Sequence, residues 1–484
     1  MTTDTAGTEA SSATTMLSII ATDDLAQTVR GEIEEFDYPA HSWPVQHQDA
    51  GQKVLDVLIV GAGQAGLTAA IRLHREGIRN IEVVDAAEPG REGPWVTWAR
   101  METLRTVKTL HGPESGIRSA SFRSWYEHRF GADAYAAMEL IPRETWGEYL
   151  GWLRQATGIV VTNGTVVTTI RPHGRRWLAE LHGPDGARTV VARKILACTG
   201  IDGVGGGAAP GAIEALPAGS WAHSSDMIDL EAVRGRTVAV VGVGASAFDN
   251  AAAALEAGAA KVIQLGRRAT LPTLNSLRHL ESKGIFRHFS ALSDDTRLAF
   301  KRAELALAMP APTHSVDRCR RHENYSLLLD AGIDGAAADA GGVTLHTAQG
   351  DVAVDFVIAA TGFRVDLHRV SWLAEVADRI LLWGDRHDLT RDTIDRHLGG
   401  CPYLGPGASV QPRDEADVAL PNLHLMNAAA QVSFGPVAIG INGLPWFSDN
   451  VVHTIARDLL VEDGADLLAA FVEQTSTDAL AATR

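Results

Sequence analysis

The stretch Val57-Leu58-Ile59-Val60-Gly61-Ala62-Gly63-Gln64-Ala65-Gly66 decides the fold of this 484-residue chain. An apolar run of buried-strand type, beginning at Val54, enters a glycine turn, and Leu67 to Gly77 then carries apolar residues at helical spacing. A second apolar run, Ile81 to Val84, ends in Asp85. Strand, glycine turn, helix and acid-tipped strand together are the layout of a dinucleotide-binding unit. Gly61 permits a sharp turn, Gly63 lets backbone N–H groups approach a pyrophosphate, and Gly66 lets helix and strand pack closely. The helix N-terminus adds partial positive charge for the phosphates. Asp85 stands where a carboxylate accepts hydrogen bonds from a ribose diol.

The same layout returns in Val240-Val241-Gly242-Val243-Gly244-Ala245-Ser246-Ala247, where Gly242, Gly244 and Ser246 are the expected phosphate contacts. Ala247 replaces the third glycine and loosens the helix–strand contact by one methyl. Here the following strand, Val262 to Leu265, leads into Arg267 and Arg268 instead of an acid. Guanidinium groups at that point neutralise a ribose 2′-phosphate. The expectation is two different dinucleotides in one protein, FAD at the first site and NADPH at the second.

Composition narrows the class. An apolar fraction of 45% with 47 glycines fits an α/β enzyme of two or three domains. A net charge of −16 speaks against nucleic-acid or anionic-membrane partners. Cys198, Cys319 and Cys401 lie too far apart for a disulfide framework or a vicinal redox pair, which argues against the dithiol reductases. No metal site is expected. The chain shows neither a basic, apolar leader nor an 18-residue apolar span, so a cytoplasmic protein is expected, with homo-oligomerisation left open.

The fold class implied is α/β, with two Rossmann-like dinucleotide-binding domains and the NADPH domain inserted into a discontinuous FAD domain. Residues 1–50 form an N-terminal extension, its first part disordered and its remainder a short helix and an extended segment. Residues 51–204 form the first part of the FAD domain, with a helix over Arg143 to Ala156 whose Trp146, Tyr149, Leu150 and Leu153 belong to the core. Residues 205–352 form the NADPH domain, 353–460 the second FAD part, and 461–484 a C-terminal helix or tail. The strand ends at Thr199-Gly200 and at Thr361-Gly362 mark the two crossings between domains. A helix is expected from about Phe447 to Leu460, after the glycine-rich Ser433 to Gly443, which either lies against a flavin ring, with Asn442 in contact, or serves as a packing loop.

On these motifs the chain resembles the class B flavin-dependent monooxygenases, which include amine N-hydroxylases, flavin-containing monooxygenases and Baeyer–Villiger enzymes. Three further stretches carry the resemblance. Residues Pro217 to Ser224 match an FxGxxxHS signature in spacing, with Gly219 and His223 kept and Pro217 in place of Phe. Asp355 to Phe363 looks like the DxxxxATG segment, placing Thr361 and Gly362 near the cofactors. Gly93-Pro94-Trp95 is similar to a Gly-x-Trp turn near the flavin, followed by flavin contacts from Met101 to Lys108. An asparagine that sits beside the reacting flavin carbon in one branch has no counterpart in Leu104 to Lys108. The resemblance implies that NADPH reduces FAD, that a flavin hydroperoxide forms with O2, and that one oxygen passes to a small-molecule substrate. It makes His223 a residue that moves with a nicotinamide lid, or else one that caps an interdomain turn.

Leu271 to Ser326 is the expected substrate segment. It holds 9 Lys/Arg, 6 Asp/Glu and 4 His in a chain that is otherwise acidic. Arg278, Arg287, Arg318, Arg320 and Arg321 could pair with a carboxylate, and Arg287 is the catalytic candidate among them. Asn324-Tyr325-Ser326 resembles a stretch of the amino-acid N-hydroxylases whose asparagine touches substrate. The activity expected is N-oxygenation of a small amine or amino acid, including an acidic one. The alternatives are Baeyer–Villiger oxidation, S-oxygenation, or NADPH-dependent flavin reduction without oxygenation.

Overall fold

The computed structural model describes residues 23–36, 41–339, 341–438 and 440–482. The disordered stretch expected at the N-terminus lies outside them. The extension contributes helix α1 (Asp24–Phe36), whose Ala26 and Val29 are buried on the body. The first nucleotide unit contains β1 (Leu55–Val60), α2 (Gln64–Arg75), β2 (Ile81–Val84), α3 (Arg143–Ala156), β3 (Val166–His173), β4 (Arg176–Gly183) and β5 (Gly186–Ala197). The second contains β6 (Trp221–His223), β7 (Thr237–Val241), α4 (Ala245–Glu256), β8 (Lys261–Leu265), α5 (Asp294–Leu307), α6 (Thr313–Arg320) and β9 (Tyr325–Leu328). A three-stranded antiparallel sheet over residues 333–354 follows, then β10 (Phe356–Ala359). The chain returns to the first unit through β11 (Leu423–Leu425) and ends in α7 (Leu444–Ala482).

The first sheet runs β2-β1-β5-β4-β3. Strand β1 pairs in parallel with β2 (Ile59 opposite Val83) and with β5 (Ile59 opposite Leu196). The near half of β5 pairs antiparallel with β4, and β11 takes over along its far half, Leu423 opposite Ile195. All five positions Val57 to Val60 and Asp56 are buried, which is why the run is apolar rather than alternating. The second sheet is entirely parallel, in the order β6-β10-β7-β8-β9.

Two boundaries differ from the sequence expectation. Strand β10 hydrogen-bonds to β7, Ala239 opposite Val357, so the second unit extends past Ala359 instead of stopping at 352. A strand's sheet membership depends on a partner more than a hundred residues away, which local pattern does not carry. The C-terminal helix is one continuous element of 39 residues from Leu444, not a helix to Leu460 followed by a separate tail. Its Gly464 has nothing around it, and a lone glycine in a helix interior weakens it by only about 1 kcal/mol relative to alanine, without ending it.

The crossings between units form a narrow ribbon. Residues 204–208 run antiparallel to 362–366, with Asp366 N–H donating to the Val204 carbonyl at 2.8 Å and Ala208 N–H to Gly362 at 2.8 Å. Helix α7 is tied to the first sheet by buried charge. The Asp463 carboxylate accepts from Arg193 on β5 at 2.7 and 2.9 Å, from the His47 ring at 3.0 Å and from Val45 N–H at 3.0 Å.

His424 on β11 is fully buried and bonds its Nδ1 to the Gly407 carbonyl at 2.8 Å. Burial first, then nearby Lys194, pulls its pKa from 6.5 to about 4. The unfolded chain therefore binds a proton near pH 6.5 that the folded one refuses until about pH 4. Stability falls as pH drops through that window, by about 3 kcal/mol at its lower end. Denaturant unfolding of the wild type and of His424→Asn between pH 7 and pH 4.5 should give a steeper loss for the wild type; parallel curves would contradict this.

Candidate active site

A cavity of about 740 Å³ opens at the carboxyl ends of β1, β2 and β5. Gly61, Gly63, Asp85 and Trp95 all line it. The glycine turn is built so tightly that side chains have no place. Gly61 has φ +98°, and a Cβ there would lie 2.6 Å from the Cys198 carbonyl oxygen. Gly66 sits behind the turn, where a Cβ would fall 1.8 Å from the Gly61 oxygen. At Gly63 the nearest atom to a Cβ is the Gly93 Cα at 3.8 Å, so its backbone faces open space. Gly63 is also the N-cap of α2, with no side chain closing the helix N-terminus.

Asp85 is held by the turn itself. One carboxylate oxygen accepts Ala62 N–H at 2.7 Å and the other Ala87 N–H at 2.8 Å. Burial raises its pKa, while those backbone bonds oppose the rise. The Trp95 indole is buried against Trp146, ring centroids 6.5 Å apart, and its Nε1 has no acceptor. A buried N–H donor without a partner, an open helix N-terminus and an anchored carboxylate at the far end suit an elongated phosphate-bearing nucleotide such as FAD. Bound there, FAD would supply two-electron redox chemistry and the activation of dioxygen.

The second half of the chain completes the wall. Val437, Ala438, Gly440, Leu444 and Phe447 line the cavity, as expected for the glycine-rich stretch before α7. Asn442 is not among them; its amide donates to Glu281 at 3.1 Å. Asn427 is a lining residue that sequence reasoning missed. Its Nδ2 donates to the Ala197 carbonyl at 3.3 Å and to Thr199 Oγ1 at 3.2 Å, joining the ends of β11 and β5. The short strand-like stretch Leu423-His424-Leu425-Met426 before it was the available signal.

The second glycine turn lies at the carboxyl end of the parallel sheet. Gly242 has φ +127°, and a Cβ would meet the Ala360 oxygen at 2.3 Å. Gly244 caps α4 without a side-chain bond and has nothing within 4 Å. Ser246 is exposed beside it, and the Ala247 methyl is fully buried. Arg267 and Arg268 follow β8 in the open, with Arg268 reaching the Ala306 carbonyl at 3.4 Å. Thr361 and Gly362 begin the returning crossing, and Thr361 Oγ1 donates to the Ala208 carbonyl.

Several nominated residues do structural work elsewhere. Lys108 gives its ammonium to the carbonyls of Tyr135, Ala136 and Met138 at 2.8, 3.1 and 2.6 Å, closing a helix C-terminus. Met101 packs half-buried on the main core and does not line the cavity. Asn324 bonds the Ala259 and Ala260 carbonyls at 2.8 and 3.2 Å, at the amino-terminal edge of the parallel sheet. Nucleotides bind at the opposite, carboxyl edge, so this asparagine does not reach them. Arg287 stacks over Trp446 at 4.4 Å, and Arg318 is bound to Glu256 at 2.7 and 3.0 Å.

His223 caps the crossing. Its Nε2 pairs with the Gly362 carbonyl at 2.9 Å, its Nδ1 with Ser225 Oγ at 2.8 Å, and Phe363 meets the ring edge-on at 5.3 Å. Burial lowers its pKa, favouring the neutral ring. Beside it, Arg100 reaches from the first unit to the carbonyls of Ser224 and Asp226, both at 2.9 Å. Burial draws that guanidinium down to about 10. Apart from the Trp98 carbonyl at 3.0 Å its partners lie over a hundred residues away, so no local pattern marks it.

Two unlike nucleotide cradles joined by a short ribbon define a two-dinucleotide flavoprotein. A family model described as FAD-NAD(P)-binding matches residues 58–202. The chain is 36% identical over 450 residues to a FAD-dependent urate hydroxylase of Xanthomonas campestris pv. campestris, covering 93% of this chain and 95% of the relative. Among solved structures it is similar to the ornithine N-hydroxylase of Kutzneria sp. 744 (TM-score 0.67, 18% identity, 84% of this chain and 99% of that one). It is also similar to the L-lysine 6-monooxygenase of Pseudomonas syringae (TM-score 0.64, 18% identity, 83% and 99%). The chain belongs to the family of FAD-dependent hydroxylases that the Xanthomonas enzyme represents. It is an enzyme, and its cofactors are FAD and a nicotinamide dinucleotide. Among the described residues no helix is long and apolar enough to cross a membrane.

Gly66→Ala must displace either α2 or the Gly61 turn. The purified variant should retain only a small fraction of the flavin that the wild type carries, read as the ratio of 450 nm to 280 nm absorbance. Full flavin retention would show that the turn is looser than described.

Proposed function

We propose that the chain is an NADPH- and O2-dependent flavin monooxygenase acting on a small, nitrogen-rich polar molecule. The observation that carries this reading is the setting of Cys198. It lines the flavin cavity as a free thiol, and neither Cys319 nor Cys401 lines that cavity with it, so no disulfide stands there to take electrons from a reduced flavin. Electrons reaching the flavin therefore have dioxygen as their natural acceptor. Arg267 and Arg268, exposed at the tip of β8, support NADPH over NADH as their source.

For the substrate, the full-length relative favours an oxidised purine of the urate kind. The nominated arginines fit that choice, because Arg287 and Arg318 are already engaged and none of the five lines the flavin cavity. N-oxygenation of a small amine or amino acid is the second reading, supported by the fold shared with the ornithine and lysine enzymes.

Incubation with NADPH and ¹⁸O-labelled dioxygen, against urate, ornithine, lysine, aspartate and a simple ketone, separates the readings by product mass. Label in a urate-derived product supports the first and label in a hydroxylamine the second. Release of hydrogen peroxide alone with every compound would leave a flavin reductase. Arg267→Ala together with Arg268→Ala should raise the KM for NADPH by about tenfold or more while leaving that for NADH unchanged. Equal effects on both would refute the NADPH assignment.

A further inference from the structure

Helix α4, which begins at the second glycine turn, carries a carboxylate that no step described so far uses. Asp249 is on its second turn with a side chain only 3% exposed. One oxygen accepts from Arg105 Nη2 at 3.0 Å, and Arg105 belongs to the first unit, on the strand Thr103–Val107. The other oxygen accepts from Ser315 Oγ at 2.7 Å, on α6 of the basic segment. Arg318, one turn further along α6, approaches that same oxygen at 3.9 Å. Arg318 in turn holds Glu256 at the far end of α4 and reaches Glu102, again on the first unit, at 3.5 Å. Three parts of the chain thus meet on one buried carboxylate.

A buried carboxylate is stable only when paired and fully hydrogen-bonded. Asp249 takes its closest cation from the opposite unit, so its neutralisation is complete only when α4 is seated against the Thr103–Val107 strand. The flanking ribbon of crossings fixes where the two units are joined, but a ribbon alone leaves them free to rotate. Side-chain bonds across the join restrain that rotation: Arg100 to the Ser224 and Asp226 carbonyls, and the Arg105–Asp249 pair, which acts directly on α4.

We propose that Asp249 is a positioning residue that, through Arg105, holds the nicotinamide-binding helix in register with the flavin domain for hydride transfer. Neither residue lines the flavin cavity, so the pair acts through the placement of α4. Hydride transfer requires close, aligned approach of donor and acceptor, and misplacement by about 1 Å lowers the rate by on the order of 100-fold. The inference rests on the assignment of a nicotinamide dinucleotide to the second sheet.

Arg105 is 44% exposed, so Arg105→Ala opens no core cavity, while Asp249→Asn keeps the shape of the buried side chain. Each variant should slow anaerobic flavin bleaching by NADPH by on the order of tenfold, with the NADP+ dissociation constant within about threefold of wild type. The double variant should be no slower than the worse single one, since both remove the same contact. Arg105→Lys should recover part of the rate. Hydrogen exchange on the FAD-bound, nicotinamide-free protein should rise over residues 101–108 and 245–256 in Arg105→Ala. Bleaching within about twofold of wild type, or single effects that simply add, would overturn the proposal. A wild-type protein that NADPH does not bleach would instead refute the nucleotide assignment.

Discussion

The contact between Gly66 and the Gly61 carbonyl is the constraint on which the first unit depends. With a hypothetical Cβ only 1.8 Å from that oxygen, helix α2 lies directly on the turn that feeds it. The turn in its own right presses on the Cys198 carbonyl at the end of β5. Three elements therefore touch backbone to backbone, and the cavity, the open helix N-terminus and the seat of Asp85 all follow from that closeness. Two bonds from Asp85 back to Ala62 and Ala87 make the acid part of the same turn. The second unit repeats the arrangement with Gly242 against the Ala360 carbonyl, but tolerates Ala247 where the first demands glycine. Its helix stands one methyl further off.

The parts of this architecture that were legible in the sequence are those governed by local rules. Helix α3 spans Arg143 to Ala156 as its apolar spacing implies, with Trp146, Tyr149, Leu150 and Leu153 buried. The two glycine turns, Asp85 and the paired arginines after β8 stand where strand length and turn chemistry put them. What escaped were side chains whose partners are remote carbonyl groups. Lys108 and Asn324 both sit in stretches that resemble functional motifs, yet each bonds backbone oxygens brought near only by folding. A polar residue in a short motif satisfies whatever acceptor the fold presents. The return strand β10 was misallocated for the same reason, because sheet membership is a non-local property.

Charge organises the protein in a similarly divided way. The buried Asp463–Arg193 pair, assisted by His47, fastens the long C-terminal helix to β5 and brings residues 45–47 onto the body. Its counterpart across the units is the set around Asp249. One pair is internal to the flavin domain and the other spans the join. Removing the arginine from either would leave a carboxylate stranded away from water. Neutralisation of acids by arginine thus serves both to fix the terminal helix and to seat one unit on the other, in a chain whose overall charge is −16.

The adjacency of Val204 and Asp366, hydrogen-bonded across the crossings at 2.8 Å, has an evolutionary consequence. Everything between them leaves and re-enters the host through neighbouring points, so the intervening piece is geometrically a cassette. Deleting it would require the host chain to bridge only the width of a β-ladder, and a replacement piece with closely spaced ends would have to rebuild the seam where Leu298 and Arg297 pack against Trp383 of the host. A lineage could therefore alter its electron donor or its substrate-facing segment by recombination at two spots, without redesigning the flavin cradle.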